Sequence, residues 1–160
     1  MKKKMLLPIL LIIFFIPSVV LCQDLESSMT AYRVLIDKKG NEKFQKTDSA
    51  APGETIEYRI FYKNKGKTTV EKLTVNGPVP ANTYYVGGSD RGSDSYNLLV
   101  TIDNGKTWEP DPVKRMKKMS DGTKKEVIIP PDQYTHIRWI TKKPLGPKEK
   151  QEFVYRVILK

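Results

Sequence analysis

Cysteine is nearly missing from this chain of 160 residues: its single copy, Cys22, closes an apolar N-terminal run, so no intramolecular disulfide can form. Stability has to come from apolar burial. Histidine is as scarce, with His136 alone. A lone histidine with no cysteine beside it excludes the Cys/His clusters of structural zinc sites. It stands between Thr135 and Ile137 in an alternating segment and shows no Ser-His-Asp arrangement around it, so it reads as a strand residue. Acidic residues are outnumbered, 18 against 28 Lys and Arg. They are scattered, and spacing along the chain says nothing of their separation, so no carboxylate pair for glycoside cleavage can be assigned. Beyond the first 22 residues no apolar repeat of helical period is sustained, which argues against a bundle or a doubly wound sheet.

The one long hydrophobic run is at the N-terminus. Residues 1–22, MKKKMLLPILLIIFFIPSVVLC, join three lysines to an apolar stretch and a Pro17-Ser18 break, the pattern of a secretory signal peptide. Three fates fit it. Cleavage before Gln23 leaves a mature chain without cysteine; lipidation makes Cys22 the new N-terminus, although Leu21 stands where a small residue is usual; retention leaves a short membrane anchor. Each places the remaining chain across a membrane, in the periplasm, at the cell surface or outside the cell. Cleavage leaves 138 residues, enough for one domain with a real core. These carry 25 basic and 18 acidic residues, a net charge of +7. That balance suits a solvated surface and leaves room for an anionic partner.

Beyond the leader, Gly, Pro, Asn and Asp punctuate the chain at short intervals. Gln23–Met29 reads as a polar leader, and residues 30–160 as one domain. Ile56, Tyr58, Ile60 and Tyr62 alternate with Glu57 and Arg59, so a strand there turns one face to a core and the other to water, with Phe61 interrupting the polar side. Asn64 to Lys67 forms a connection into Val70–Val75, and Pro78 and Pro80 stop pairing after it. Asn97–Ile102, an Asn104-Gly105 turn and Thr107-Trp108 read as a hairpin. Further strands are expected at residues 30–37, 83–86, 126–129, 135–141 and 151–159. Seven to nine short strands predict an all-β, immunoglobulin-like sandwich.

APGETIEYRIFYKNKG, VPANTYYVGGS, VTIDNGKTW and the ending THIRWITKKPLGPKEKQEFVYRVILK occur in this order from Ala51 to the C-terminus. Together they resemble the bacterial and archaeal conserved repeat domain known as domain of unknown function eleven. The resemblance implies an immunoglobulin-like module of exported and surface proteins, without an established catalytic role. Two departures stand out. Gly77 replaces an aspartate usual in the family, which bears on a local turn contact, and KRMKKMSDGTKK has no counterpart there.

That basic stretch is the strongest candidate for function. Lys114, Arg115, Lys117, Lys118, Lys124 and Lys125 gather on what reads as a loop, with Met116 and Met119 between them. Six cations suit phosphate or carboxylated glycan, while the lack of interleaved aromatics argues against nucleic acid. TIDNGKTW fits the Asp-box pattern of sialidase-like propellers, but one copy cannot build a propeller, so Asp103 is expected to bond turn amides while Trp108 packs. Asp90 and Asp94 lack the acidic density and distal Glu of a helix-loop-helix calcium site. No catalytic residue, metal or cofactor is assigned. The expectation is a non-enzymatic envelope module whose partner is another envelope protein or surface component. Membrane contact would come only through the N-terminus if it is kept or lipidated. The alternative is a module that binds an anionic polymer or lipid through the loop 114–125.

Overall fold

The computed structural model describes residues 24–91 and 95–160; the signal segment, Cys22 and Asp94 lie outside them. Every strand pairing among the described residues is antiparallel. These residues form eleven strands: β1 (Leu25–Ile36), β2 (Glu42–Lys46), β3 (Thr55–Asn64), β4 (Thr74–Pro78), β5 (Thr83–Tyr85), β6 (Tyr96–Thr101), β7 (Glu109–Pro110), β8 (Lys114–Lys118), β9 (Lys124–Ile128), β10 (His136–Thr141) and β11 (Lys150–Leu159). A 3₁₀ turn, Pro131–Gln133, begins within the Pro130-Pro131 pair.

The strands make a five-stranded sheet, β2-β1-β3-β11-β5, facing a four-stranded sheet, β4-β10-β6-β7, with β8-β9 standing apart as a two-stranded ribbon. An all-β sandwich is therefore what the alternation builds. Within it β10 and β11 lie in different sheets, whereas an antibody domain keeps its last two strands side by side. The core sits between the two sheets. Ile56, Ile60, Phe153, Tyr155 and Val157 from the first meet Val75, Val100, Ile137 and Trp139 from the second. Trp139 is fully buried and packs its indole 5.5 Å from the Phe153 ring and 5.7 Å from Tyr155, with Tyr96 edge-on at 6.3 Å.

Several boundaries differ from those expected, each for a physical reason. The stretch read as a polar leader supplies the first half of β1: Leu25 to Met29 pair with Asn64 to Ile60, because β3 is ten residues long and offers its whole edge. The strand expected at Val70–Val75 is shifted to Thr74–Pro78, leaving Val70 a single bridge to Leu145. Pro78 pairs with His136 at the end of β4, which is an edge strand and tolerates a residue without an amide proton. Gly77 is not at a turn. It pairs with Ile137 inside β4, and a Cβ there would lie 3.0 Å from the Ile137 side chain and from two ring carbons of Trp139.

Asn64 ties down one end of the sandwich. Fully buried, it donates to the Thr68 and Leu145 carbonyls at 2.7 and 3.0 Å and accepts from the Gly66 amide at 2.9 Å. One amide thus satisfies three backbone groups from two connections.

Candidate functional site

The basic stretch is a β-hairpin rather than a loop. Met119 donates its amide to Thr123 at 2.8 Å, Gly122 donates to Met119 at 3.0 Å, and Gly122 takes φ +84°, a conformation that costs glycine least. Asp121 stiffens the tip by accepting from the Thr123 amide at 2.9 Å and its hydroxyl at 2.6 Å. The arm is rooted in the core. Val113 is buried, its carbonyl accepts from the Ile129 amide at 2.8 Å, and its own amide reaches the Tyr134 hydroxyl at 3.2 Å. Tyr134 in turn donates to Asp111 at 2.7 Å. Burial pushes the Tyr134 phenol up to about 12, so that donor stays protonated.

The six sequence-assigned cations divide into two groups. Arg115 forms a two-pronged pair with Glu109 at 2.5 and 2.6 Å, and Lys114 pairs with Glu126 at 3.0 Å. These two are used at the base of the arm. Lys117, Lys118, Lys124 and Lys125 crowd its tip, and among the described residues none of the four has an acidic partner. Register sets Lys117 opposite Lys125 and Lys118 opposite Lys124. Like charges directly opposite each other destabilise a ribbon, so the pairing works against the hairpin it belongs to. Met116 and Ile128, both exposed, share a face with Lys118 and Lys124.

The remaining candidates lie elsewhere on the sandwich. Asp103 accepts from the Thr101 hydroxyl at 2.7 Å, the Thr107 amide at 2.9 Å and the Thr107 hydroxyl at 2.7 Å. The Thr107 amide, followed by the two hydroxyls, holds its carboxyl well below the usual range. A depressed carboxyl stabilises the fold at neutral pH, and that contribution is lost only as pH falls through the folded value. The Thr107 amide resonance is therefore expected to stay put as pH falls from 7 to about 4 and to move only in stronger acid. Titration of that resonance by NMR checks it.

Trp108 folds back on its own turn instead of entering the core: its indole donates to the Gly105 carbonyl at 3.1 Å, and the Arg138 guanidinium lies 3.7 Å over the ring. His136 sits half-buried on β10 beside Thr135, facing away from the core, since Ile137, Trp139 and Thr141 alternate inward. Asp90 is occupied by two hydroxyls, Tyr85 and Tyr96, each at 3.1 Å. Burial first, then the Asp90 charge, raises both phenols. With its two oxygens used inside the protein, Asp90 is a lock on the β5–β6 connection.

A charged cluster went unread in the sequence. Glu57, expected to face water, is fully buried on the outer side of the five-stranded sheet. Arg59 meets one of its oxygens at 2.7 Å, while Arg91 and Arg156 meet the other at 2.7 and 2.9 Å. Arg156 also grips Glu42 of β2 with two bonds of 2.6 Å, and Phe44 and Tyr32 cover Arg59 at 4.6 and 4.7 Å. The alternation placed Glu57 on the outer face correctly; the lid over it comes from β2, β11 and the segment after β5, far apart in sequence.

At one end of the sandwich a cavity of about 370 Å³ is walled mainly by Ala31, Ile56, Tyr58, Pro80, Val157 and Leu159, with Asp48 its one charged group. No family model matches the chain, and neither does any curated protein or solved structure.

Proposed function

We propose that the chain is an exported, non-enzymatic envelope module whose working part is the hairpin Lys114–Ile128, presented to an anionic polymer or lipid surface. The observation that carries this reading is the two opposed lysine pairs at the tip, Lys117 with Lys125 and Lys118 with Lys124. A ribbon that accepts such repulsion, on a root held by Val113, Tyr134 and Arg115, gains most when phosphate, sulfate or carboxylate groups neutralise it. The exposed Met116 and Ile128, on the same face as Lys118 and Lys124, add apolar contact suited to a lipid headgroup boundary. The apolar cavity at the end of the sandwich lies elsewhere and holds a single carboxylate, which is little equipment for acid-base work. The export-type leader and the resemblance of the sandwich motifs to a surface-protein repeat support the envelope setting.

Replacing Lys117, Lys118, Lys124 and Lys125 together by Gln tests the proposal. Each lysine near an anionic surface contributes about 1 kcal/mol, so binding to phosphatidylserine vesicles is expected to weaken by roughly a thousandfold. Retention on a sulfated polysaccharide column should lose most of its salt dependence. The same variant should melt no lower than the parent, because the repulsion at the tip is gone. Equal binding by parent and variant on both probes would sink the reading.

A further inference from the structure

We infer that two copies of this chain pair through β2, joining their five-stranded sheets edge to edge across a twofold axis at Phe44. β2 is an outer strand, exposed along all five residues, and its far side has no partner strand among the described residues. Two backbone bonds fix which of its groups are free. Asp37 donates its amide to the Asn41 carbonyl, and Thr47 donates to Ala31, so the paired positions of this hairpin are the odd-numbered residues of β2. By the alternation of an antiparallel ladder, Glu42, Phe44 and Lys46 then aim their amides and carbonyls outward.

Those three residues are self-complementary. Antiparallel pairing centred on Phe44 sets Phe44 opposite its own copy and Glu42 opposite Lys46 on both sides of the axis. Because the outward-facing residues coincide with these pairs, about six backbone hydrogen bonds close between the copies. Phe44 is one of the exposed large apolar residues and would stack on its twin, while Lys43 meets Gln45 on the opposite face without like-charge conflict. Glu42 already accepts from Arg156, yet its side chain is 40% exposed and a carboxylate has further acceptor capacity for Lys46.

Lysines on a short edge strand commonly keep sheets from joining. Here Lys46 falls where self-pairing supplies a glutamate, which turns a guard against other strands into a selector for this one. The register of any other approaching strand would have to present acid and base in the same order. A five-residue edge makes a small interface, so the dimer is concentration-dependent.

Sedimentation equilibrium of the exported chain, from about 10 μM to about 1 mM, should show the mass climbing toward twice that of the monomer. Lys46→Glu puts two glutamates face to face at each end and is expected to weaken the dimer about tenfold. Phe44→Pro removes an outward amide from each copy and should abolish it, whereas Lys63→Glu on the same sheet should change nothing. Circular dichroism verifies that each variant is folded. Amide exchange gives a second readout: Glu42, Phe44 and Lys46 should slow with concentration while Lys43 and Gln45, already bonded to β1, should not. A chain that stays monomeric throughout, including one whose β2 amides slow only on adding another protein's strand, overturns the inference. So does a dimer indifferent to Lys46→Glu.

Discussion

Glu57→Ala is expected to lower the melting temperature by on the order of 10 °C, the largest effect of any substitution of a charged residue in this protein. Glu57 is fully buried, and its two oxygens are the common acceptor for Arg59, Arg91 and Arg156. Removing one partner of a buried ionic network costs about 3–5 kcal/mol, because the remaining charges have lost both water and counterion. In a domain of this size each kcal/mol corresponds to roughly 3–5 °C. Arg59 and Arg156 are poorly placed to recover, with side chains only 26% and 19% exposed. Arg91→Ala makes the contrast. Its side chain is 54% exposed, and removing it leaves Glu57 two arginines, so a loss within about 1 kcal/mol is expected. Thermal melts of both variants decide the matter; if Glu57→Ala melts within a few degrees of the parent, the outer-face cluster does not hold β2 and the β5–β6 segment to the sheet.

Gly77→Asp is expected to abolish the fold at moderate temperature, with Gly77→Ala falling between it and the parent. A methyl group at this position would sit 3.0 Å from the Ile137 side chain and the Trp139 ring, and Trp139 is itself wedged against Phe153 and Tyr155. Overpacking of this kind costs about 1–3 kcal/mol. Aspartate adds a carboxylate among those apolar groups, where ionisation goes uncompensated; an unpaired buried charge on top of the clash brings the loss above about 4 kcal/mol. A folded Gly77→Asp protein with an unshifted Trp139 environment, read by near-ultraviolet circular dichroism, would contradict the packing described.

The apolar strands were legible because alternation is a local signal. Ile56, Tyr58, Ile60 and Tyr62 occupy one face of β3 as their spacing required, and the Pro-rich and Asn-Gly segments interrupt pairing near where they stand. The polar strands were not. β2, β7 and β8 carry little alternation of apolar and polar residues, since an edge or a free ribbon has no buried face to demand it. Eleven strands therefore appear among the described residues where seven to nine were expected. Gly77 stood beyond the strand expected at Val70–Val75, and only the approach of Trp139 from another strand shows that its missing side chain is what the core uses.

For the candidate site, composition located the charge and the fold gave it meaning. Clustering of six cations between residues 114 and 125 is visible in one dimension. That two of them are consumed by Glu109 and Glu126, while four face one another in like pairs, depends on strand register.

By itself the sequence determined that the chain opens on a lysine-flanked apolar run, forms no intramolecular disulfide, and alternates its apolar residues at the period of a β-sheet. Residue type and nearest spacing suffice for each of these. Only the tertiary structure decided that Glu57 is buried under three arginines, that the basic stretch is a rooted hairpin, and that β2 is an open edge. Each of these depends on which distant segments meet, and pairing free energies are set by contacts that a linear spacing does not contain.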